Sequence, residues 1–270
     1  MDEMGTRLTV LGSAIASKDM IFKLLGPTAD YIGNEVKNWT EKRIQNVASI
    51  FKNAEKKVDL DRPGQVPPKV IKEILDDGSF ADNDILIEYY GGVLASSRTE
   101  ERTDDRGATF LKMLGQLSTY QIKMHYISYQ LIRNQFIGRN LLFTKNGDDG
   151  RDGMRIFLPM SEYYRYYGDE TVDKLTLLLQ HIFFGLKRFN VIQDFTYSSN
   201  NLKYNEQGDK MPGIRILPSA YGAELFNWVY GYCDLSTKEI LNPNRAYKEF
   251  KDIKLAHDKV IQFPKTIDRV

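Results

Sequence analysis

The chain has 270 residues, 42% hydrophobic, 27% charged and 12% aromatic, which is enough apolar side chain for one large domain or two ordinary ones and excludes wholesale disorder. Lysine and arginine total 37 against 36 for aspartate and glutamate, a balance that argues against a strongly polyanion-seeking surface. A single cysteine, Cys233, excludes an internal disulfide framework and a cysteine-based zinc site.

The first residues, Met1-Asp2-Glu3-Met4, are acidic where an export signal needs positive charge, so the expectation is a cytoplasmic protein. Residues 8–25 then carry two apolar bursts with Leu8, Val10, Leu11, Ile15, Ile21, Phe22, Leu24 and Leu25, interrupted at Ser17-Lys18-Asp19. The interruption and the length exclude a spanning helix and leave a candidate segment for lying on a membrane or forming oligomers. Gly26-Pro27 stops this segment and is its candidate hinge. Thr28 is the expected N-cap of the next helix. Ile32, Val36, Trp39, Ile44, Val47, Ile50, Phe51, Ala54 and Val58 mark one face of that long amphipathic helix.

Pro67-Pro68 opens a short helix, Asp76-Asp77-Gly78-Ser79 is a turn, and Asp82 or Asn83 caps the helix that follows. Arg98–Arg106 reads as a solvated charged link. Two more helices flank Ser118 and Thr119, so residues 1–137 are expected to form an all-helical domain. Lys145–Gly153 is a Gly/Asp loop, which sets residues 138–154 as the expected linker.

Residues 155–270 are expected to form a small α+β unit, making the whole chain mainly α. Arg155-Ile156-Phe157-Leu158-Pro159 is a predicted strand, faintly echoed by Arg215-Ile216-Leu217-Pro218. Tyr163, Tyr164, Tyr166 and Tyr167 follow, either at a protein interface or packed on their own domain. A strong helix starts at Asp169 or Thr171. A β-hairpin comes next, and Ser219 caps a last helix. Helix, hairpin and capped helix in this order resemble a winged-helix unit, in which Lys187, Arg188, Lys203 and Lys210 are the candidate nucleic-acid contacts. Residues 170–215 hold six bases against five acids, a surplus too small to neutralise many phosphates, so nucleic acid is the disfavoured partner.

No phosphate-loop, dinucleotide or serine-elbow motif occurs. His125, His181 and His257 are far apart with no metal-ligand spacing and read as structural histidines in helical surroundings. In Asp148-Asp149-Gly150-Arg151-Asp152-Gly153, Gly150 and Arg151 break the alternation of oxygens that a calcium loop needs. No catalytic residue, metal ligand or cofactor site is therefore expected, and the chain does not read as an enzyme.

The stretches from Leu24 to Lys57 and from Val66 to Arg98 resemble the Abi-alpha family of abortive-infection proteins. The matching positions are Gly26, Pro27, Asp30, Gly33, Asn46, Val66, Pro67, Ile74, Leu75, Ser79, Asp84, Leu94 and Ala95. The helix, cap and helix around Ser118 fit the same pattern, and Gly222, Phe226 and Cys233 match its C-terminal element. The resemblance implies bacterial antiphage defence by abortive infection, with an unidentified phage-derived protein as trigger, homo-oligomerisation, and contact with the inner membrane on activation. Residues 8–25 are then the expected permeabilising segment, and winged-helix regulation of DNA is the alternative.

Overall fold

In a computed structural model the structure describes residues 41–101, 104–168, 172–204, 208–251, 253–255, 257 and 259–262. These residues form an α+β fold of two compact units: the described residues up to 119 with 227–234, and the described residues of 120–226 with those from 235 on. The division falls elsewhere than the linker expected at 138–154.

The first unit contains α1 (Glu41–Glu55), α2 (Pro68–Asp76), α3 (Asp84–Ser96) and α4 (Arg106–Gln116). Ile44, Val47, Ile50, Phe51 and Ala54 of α1 are all buried, as the three- and four-residue spacing requires; any earlier part of the expected helix, with Thr28, lies outside the described residues. Pro67 takes the N-cap position of α2 and Pro68 its first helical position, where a missing N–H costs nothing. Asn83 caps α3, its Oδ1 accepting from the Leu86 N–H at 3.1 Å.

The turn between α2 and α3 is tied to α1 by polar contacts. Ser79 Oγ accepts from Arg43 Nε and Nη2 at 3.0 and 2.8 Å and donates to the Asp76 carbonyl at 2.8 Å. Asn46 Nδ2 donates to the Ser79 carbonyl at 2.9 Å.

Residues 227–234 pack against α3 and α4. Gly92 is the contact that demands glycine: a Cβ there would stand 1.9 Å from the Val229 carbonyl oxygen. Beside it Ser96 Oγ donates to the Trp228 carbonyl at 2.8 Å, and Phe110 meets the Trp228 ring at 5.1 Å. The Lys57 ammonium donates to the Val229 carbonyl at 3.0 Å and to Glu88 Oε2 at 2.8 Å. Burial lowers the Lys57 pKa, and the Glu88 carboxylate opposes that.

The second unit is built on α5 (Thr119–Phe136), buried almost all round. Around it lie α6 (Met160–Tyr167), α7 (Val172–Arg188), α8 (Ala220–Val229, its last three residues grouped with the first unit) and an antiparallel sheet. Its strands are β1 (Ile156–Pro159), β2 (Ile192–Lys203), β3 (Lys210–Pro218) and β4 (Ile261–Gln262), in the order β2-β3-β1-β4. The expected hairpin is thus the outer half of a four-stranded sheet, because β1 pairs with β3 and β4 pairs with β1. The expected start of α7 at Asp169 or Thr171 lies outside the described residues.

Residues 138–154 belong to the body of this unit. Phe143 and Met154 are fully buried, and Arg151 Nη1 donates to the Phe143 carbonyl at 3.1 Å, so apolar anchors fold the Gly/Asp loop down. The tyrosine cluster packs on its own unit: Tyr163, Tyr166 and Tyr167 are buried, with Tyr163 donating to the Leu175 carbonyl at 3.0 Å.

Candidate functional site

The sequence candidates separate into groups that do not meet. Leu8, Val10, Leu11, Ile15, Ile21, Phe22, Leu24 and Leu25, with the hinge at Gly26 and Pro27, lie outside the described residues. No helix among the described residues is long and apolar enough to cross a membrane. Lys187 holds Asp194 Oδ1 at 2.7 Å, so part of its charge is already answered. Arg188 is exposed over the Phe189 ring at 5.6 Å. Lys203 and Lys210 face each other in register at the open end of the hairpin.

The histidines and the cysteine have local explanations. His125 is fully buried, with Nε2 2.9 Å from the Gly222 carbonyl oxygen. A carbonyl only accepts, so Nε2 carries the proton. Burial drives the His125 pKa down to about 4, outweighing that hydrogen bond, and the imidazole is neutral at pH 7. His181 is exposed on α7. His257 lies in a turn instead of the helical surroundings expected of it, where it pairs with Glu249 at 2.7 Å. Burial and then Asp234 push the Cys233 thiol up to about 11, the reverse of an activated nucleophile. In the Gly/Asp loop Asp149 pairs with Lys145, and Asp152 accepts from the Gly147 N–H at 2.6 Å. Among the described residues no cluster of three or more histidine, cysteine or acidic side chains is arranged to hold a metal ion.

The site that the structure does assemble lies on the sheet face away from α7. Phe195 and Tyr197 of β2 point toward α7, where Phe183 and Phe184 meet the Phe195 ring at 5.3 and 5.1 Å and Gln180 donates to the Tyr197 hydroxyl at 2.9 Å. Alternation along the strands puts Thr196, Arg215 and Phe157, which are cross-strand partners, on the opposite face. Asp194, two residues before Thr196 in the same unbroken register, faces Leu217 and joins them, and the bulge falls just beyond it, between Ile192 and Asp194. Arg155, Asp194, Phe195, Thr196, Arg215 and Leu217 line a cleft of about 130 Å³.

The faint echo in the sequence acquires a geometric meaning here. Ile156 and Ile216, equivalent residues of the two Arg-Ile phrases, are directly paired. An antiparallel pair has a local two-fold axis between such partners, so Arg155 and Arg215 occupy equivalent places on either side of it. They sit diagonally across β1 and β3, a separation that long side chains bridge. Burial first and the charge of Arg155 second lower the Arg215 pKa. Beside this cleft the Phe157 ring fills the space above Gly213, 2.1 Å from where a Cβ would stand. Leu202, Tyr204, Met211 and Ile261 complete a small apolar cluster around Phe157.

Sequence reasoning passed over both arginines, since neither stands in a motif. The faint echo between Arg-Ile-Phe-Leu-Pro and Arg-Ile-Leu-Pro was the available signal, and only the antiparallel register turns it into a site. Chemically the cleft offers two guanidinium groups, one hydroxyl and one carboxylate, a set suited to holding an anion without reacting with it. No family model matches this chain, and no curated protein or solved structure matches it.

Proposed function

We propose that this chain is a bacterial antiphage protein acting by abortive infection, through a change of assembly and not through catalysis. One observation carries the proposal: the positions of the Abi-alpha resemblance inside the described residues of the first unit are joined in one packed body. Asn46 and Ser79 bind each other, Pro67 opens α2, Ile74 and Leu75 are buried beneath it, and Leu94 and Ala95 lie in the buried half of α3. Residues 227–234, including the matched Cys233, belong to the same unit although more than a hundred positions away. Gly222 and Phe226, the other matched positions of that element, fall in the second unit, so the packed body accounts for the N-terminal part of the resemblance and for Cys233, and its residues there are caps, turns and core, which is what an architectural module requires.

The chemistry of the remaining groups favours assembly as the effector step. His125 is enclosed and neutral, and the Cys233 thiol is held protonated. On α7, Leu177 and Phe184 are 67% and 60% exposed two turns apart, an apolar stripe suited to contact with a second copy. An infection cue must bind one assembly state better than the other to shift the balance. Residues 8–25 are the segment expected to reach the inner membrane in the activated state.

The test is dye influx and survival of cells expressing the protein, infected at high multiplicity and followed through one phage cycle. Early permeabilisation with loss of the infected cells is expected, and replacing Leu24 and Leu25 with aspartate should abolish it while protein levels persist. Undiminished protection by that variant sinks the membrane step, and absence of protection across a broad phage panel sinks the defence role. Winged-helix DNA binding is favoured by one feature, the exposed Lys203–Lys210 pair at the hairpin's end. Retention on heparin that falls steeply with salt and disappears in a Lys203→Glu, Lys210→Glu variant is the outcome that reading requires.

A further inference from the structure

Two guanidinium groups held on one face of a sheet repel each other, and partial burial removes water that would screen them. Arg155 and Arg215 are in that position, and both burial and the neighbouring charge disfavour the charged form of Arg215. The other charges around the cleft leave the balance positive. The lining holds two guanidinium groups against the single carboxylate of Asp194, which Lys187 already binds at 2.7 Å, and Asp152 stands 3.7 Å from Arg155. Thr196, the strand partner of Arg215, adds a hydroxyl.

Shape narrows the anion. One water needs roughly 10–15 Å³ of such space, whereas the cleft offers about 130 Å³, room for a group of several heavy atoms. A planar carboxylate is satisfied by one guanidinium fork, whereas a tetrahedral oxyanion presents separate oxygens to two forks on either side of a two-fold axis. Asp194 in the lining and Asp152 beside Arg155 oppose the approach of a continuous polyanion and leave a single phosphate tolerated.

We propose that this cleft is a binding site for the phosphate group of a small molecule, gripped between Arg155 and Arg215 with Thr196 as hydrogen-bonding neighbour. The cleft carries this proposal by itself, whether or not the chain acts in phage defence.

The test is calorimetric titration of the full chain with inorganic phosphate and with inorganic pyrophosphate at low ionic strength. One saturable site per chain is expected. Arg155→Met and Arg215→Met, which keep the apolar stem and remove the fork, should each weaken it about tenfold or more. Arg188→Met, outside the cleft, should leave it unchanged. If Arg215→Met fails to fold, Arg155→Met at the end of its strand carries the comparison. Duplex DNA at equal phosphate concentration should not displace pyrophosphate. Displacement would reassign the site to a nucleic-acid backbone. Absence of saturable binding, or equal binding by the two cleft variants, overturns the proposal outright.

Discussion

Removing one buried hydroxyl, by Tyr129→Phe, tests how the second unit holds the ends of β2 and β3 in place. The Tyr129 hydroxyl lies 2.9 Å from the carbonyl oxygens of Val191 and Ser219 and accepts from the Ser219 N–H at 3.0 Å. Val191 precedes β2 and Ser219 follows β3, so this one group on α5 fixes the point where both strands leave the sheet. The ring itself stays packed in the variant, since its contacts with His125 at 4.7 Å and Phe226 at 5.8 Å involve no hydroxyl. What is lost is the partner of one buried donor and at least one buried acceptor. At about 1–3 kcal/mol for each of these two groups, the cost is about 2–6 kcal/mol. Tyr197→Phe is the matched control: its hydroxyl accepts only from Gln180 at a half-buried position, and its loss should cost below about 1 kcal/mol. Urea unfolding followed by far-ultraviolet circular dichroism measures both. If the two variants differ by less than about 1 kcal/mol, the Tyr129 hydroxyl does not anchor the strand ends and the assignment is wrong.

Other perturbations have equally definite outcomes. Gly92→Ala drives a methyl group into the Val229 carbonyl and should destabilise the first unit by about 1–3 kcal/mol or more, read as a lower urea midpoint. An ordinary imidazole titrates near 6.5, whereas His125 in the fold titrates at about 4. The unfolded chain therefore binds more protons between these values. Stability that is complete above pH 6.5 falls as the pH drops toward 4, by about 3 kcal/mol from this residue. Comparing urea midpoints of wild type and His125→Gln at neutral and at about pH 4.5 isolates this contribution from the carboxylates; parallel losses refute it. Leu177→Ser should change stability by less than about 0.5 kcal/mol, and Phe184→Ser, which also loses its contact with the Phe195 ring, by about 0.5–1.5 kcal/mol, while the pair reduces self-association measured by light scattering. An unchanged mass would remove α7 as the assembly surface.

Local chemistry made the helical half readable in the sequence. Pro67-Pro68, Asn83 and Ser219 each specify a helix start by a mechanism that needs no partner, and the α1 stripe from Ile44 to Ala54 specifies a face. The sheet was less legible because its pairings are distant: Ile261 finds Phe157, and Phe157 finds Arg215, through no signal that either segment carries alone. The same holds for the packing of residues 227–234 against Gly92, where what matters is a missing side chain. Charge counting along residues 170–215 also missed the cleft, since a net sum over a segment does not say where Arg215 stands. It omits Arg155 because that residue lies earlier in the chain.

The local two-fold across β1 and β3 maps Arg155 onto Arg215, and the chain around it bears on why two arginines came to share a face. Each strand ends in proline, Pro159 or Pro218, and each is followed by a helix, α6 or α8. Proline has no N–H for the ladder and holds φ near the helical value, so in both places it ends pairing and starts the turn into a helix. In the register that pairs Ile156 with Ile216 the residues one step before them stand symmetrically about the axis, whereas Pro159 and Pro218 are offset by one residue because the first phrase is one residue longer. Equivalent isoleucines then meet on one face, where Ile156 and Ile216 are fully buried. Residues one step earlier point to the other face and approach each other whatever their charge. In a phrase beginning with arginine, like charges converge as a consequence of the fold. The two halves differ where the cleft needs them to differ: Phe157 stands opposite Arg215, whereas Arg155 precedes its strand and reaches Asp152. A site made this way needs no motif in either segment, and an anion on the axis would relieve a repulsion that the backbone register itself imposes.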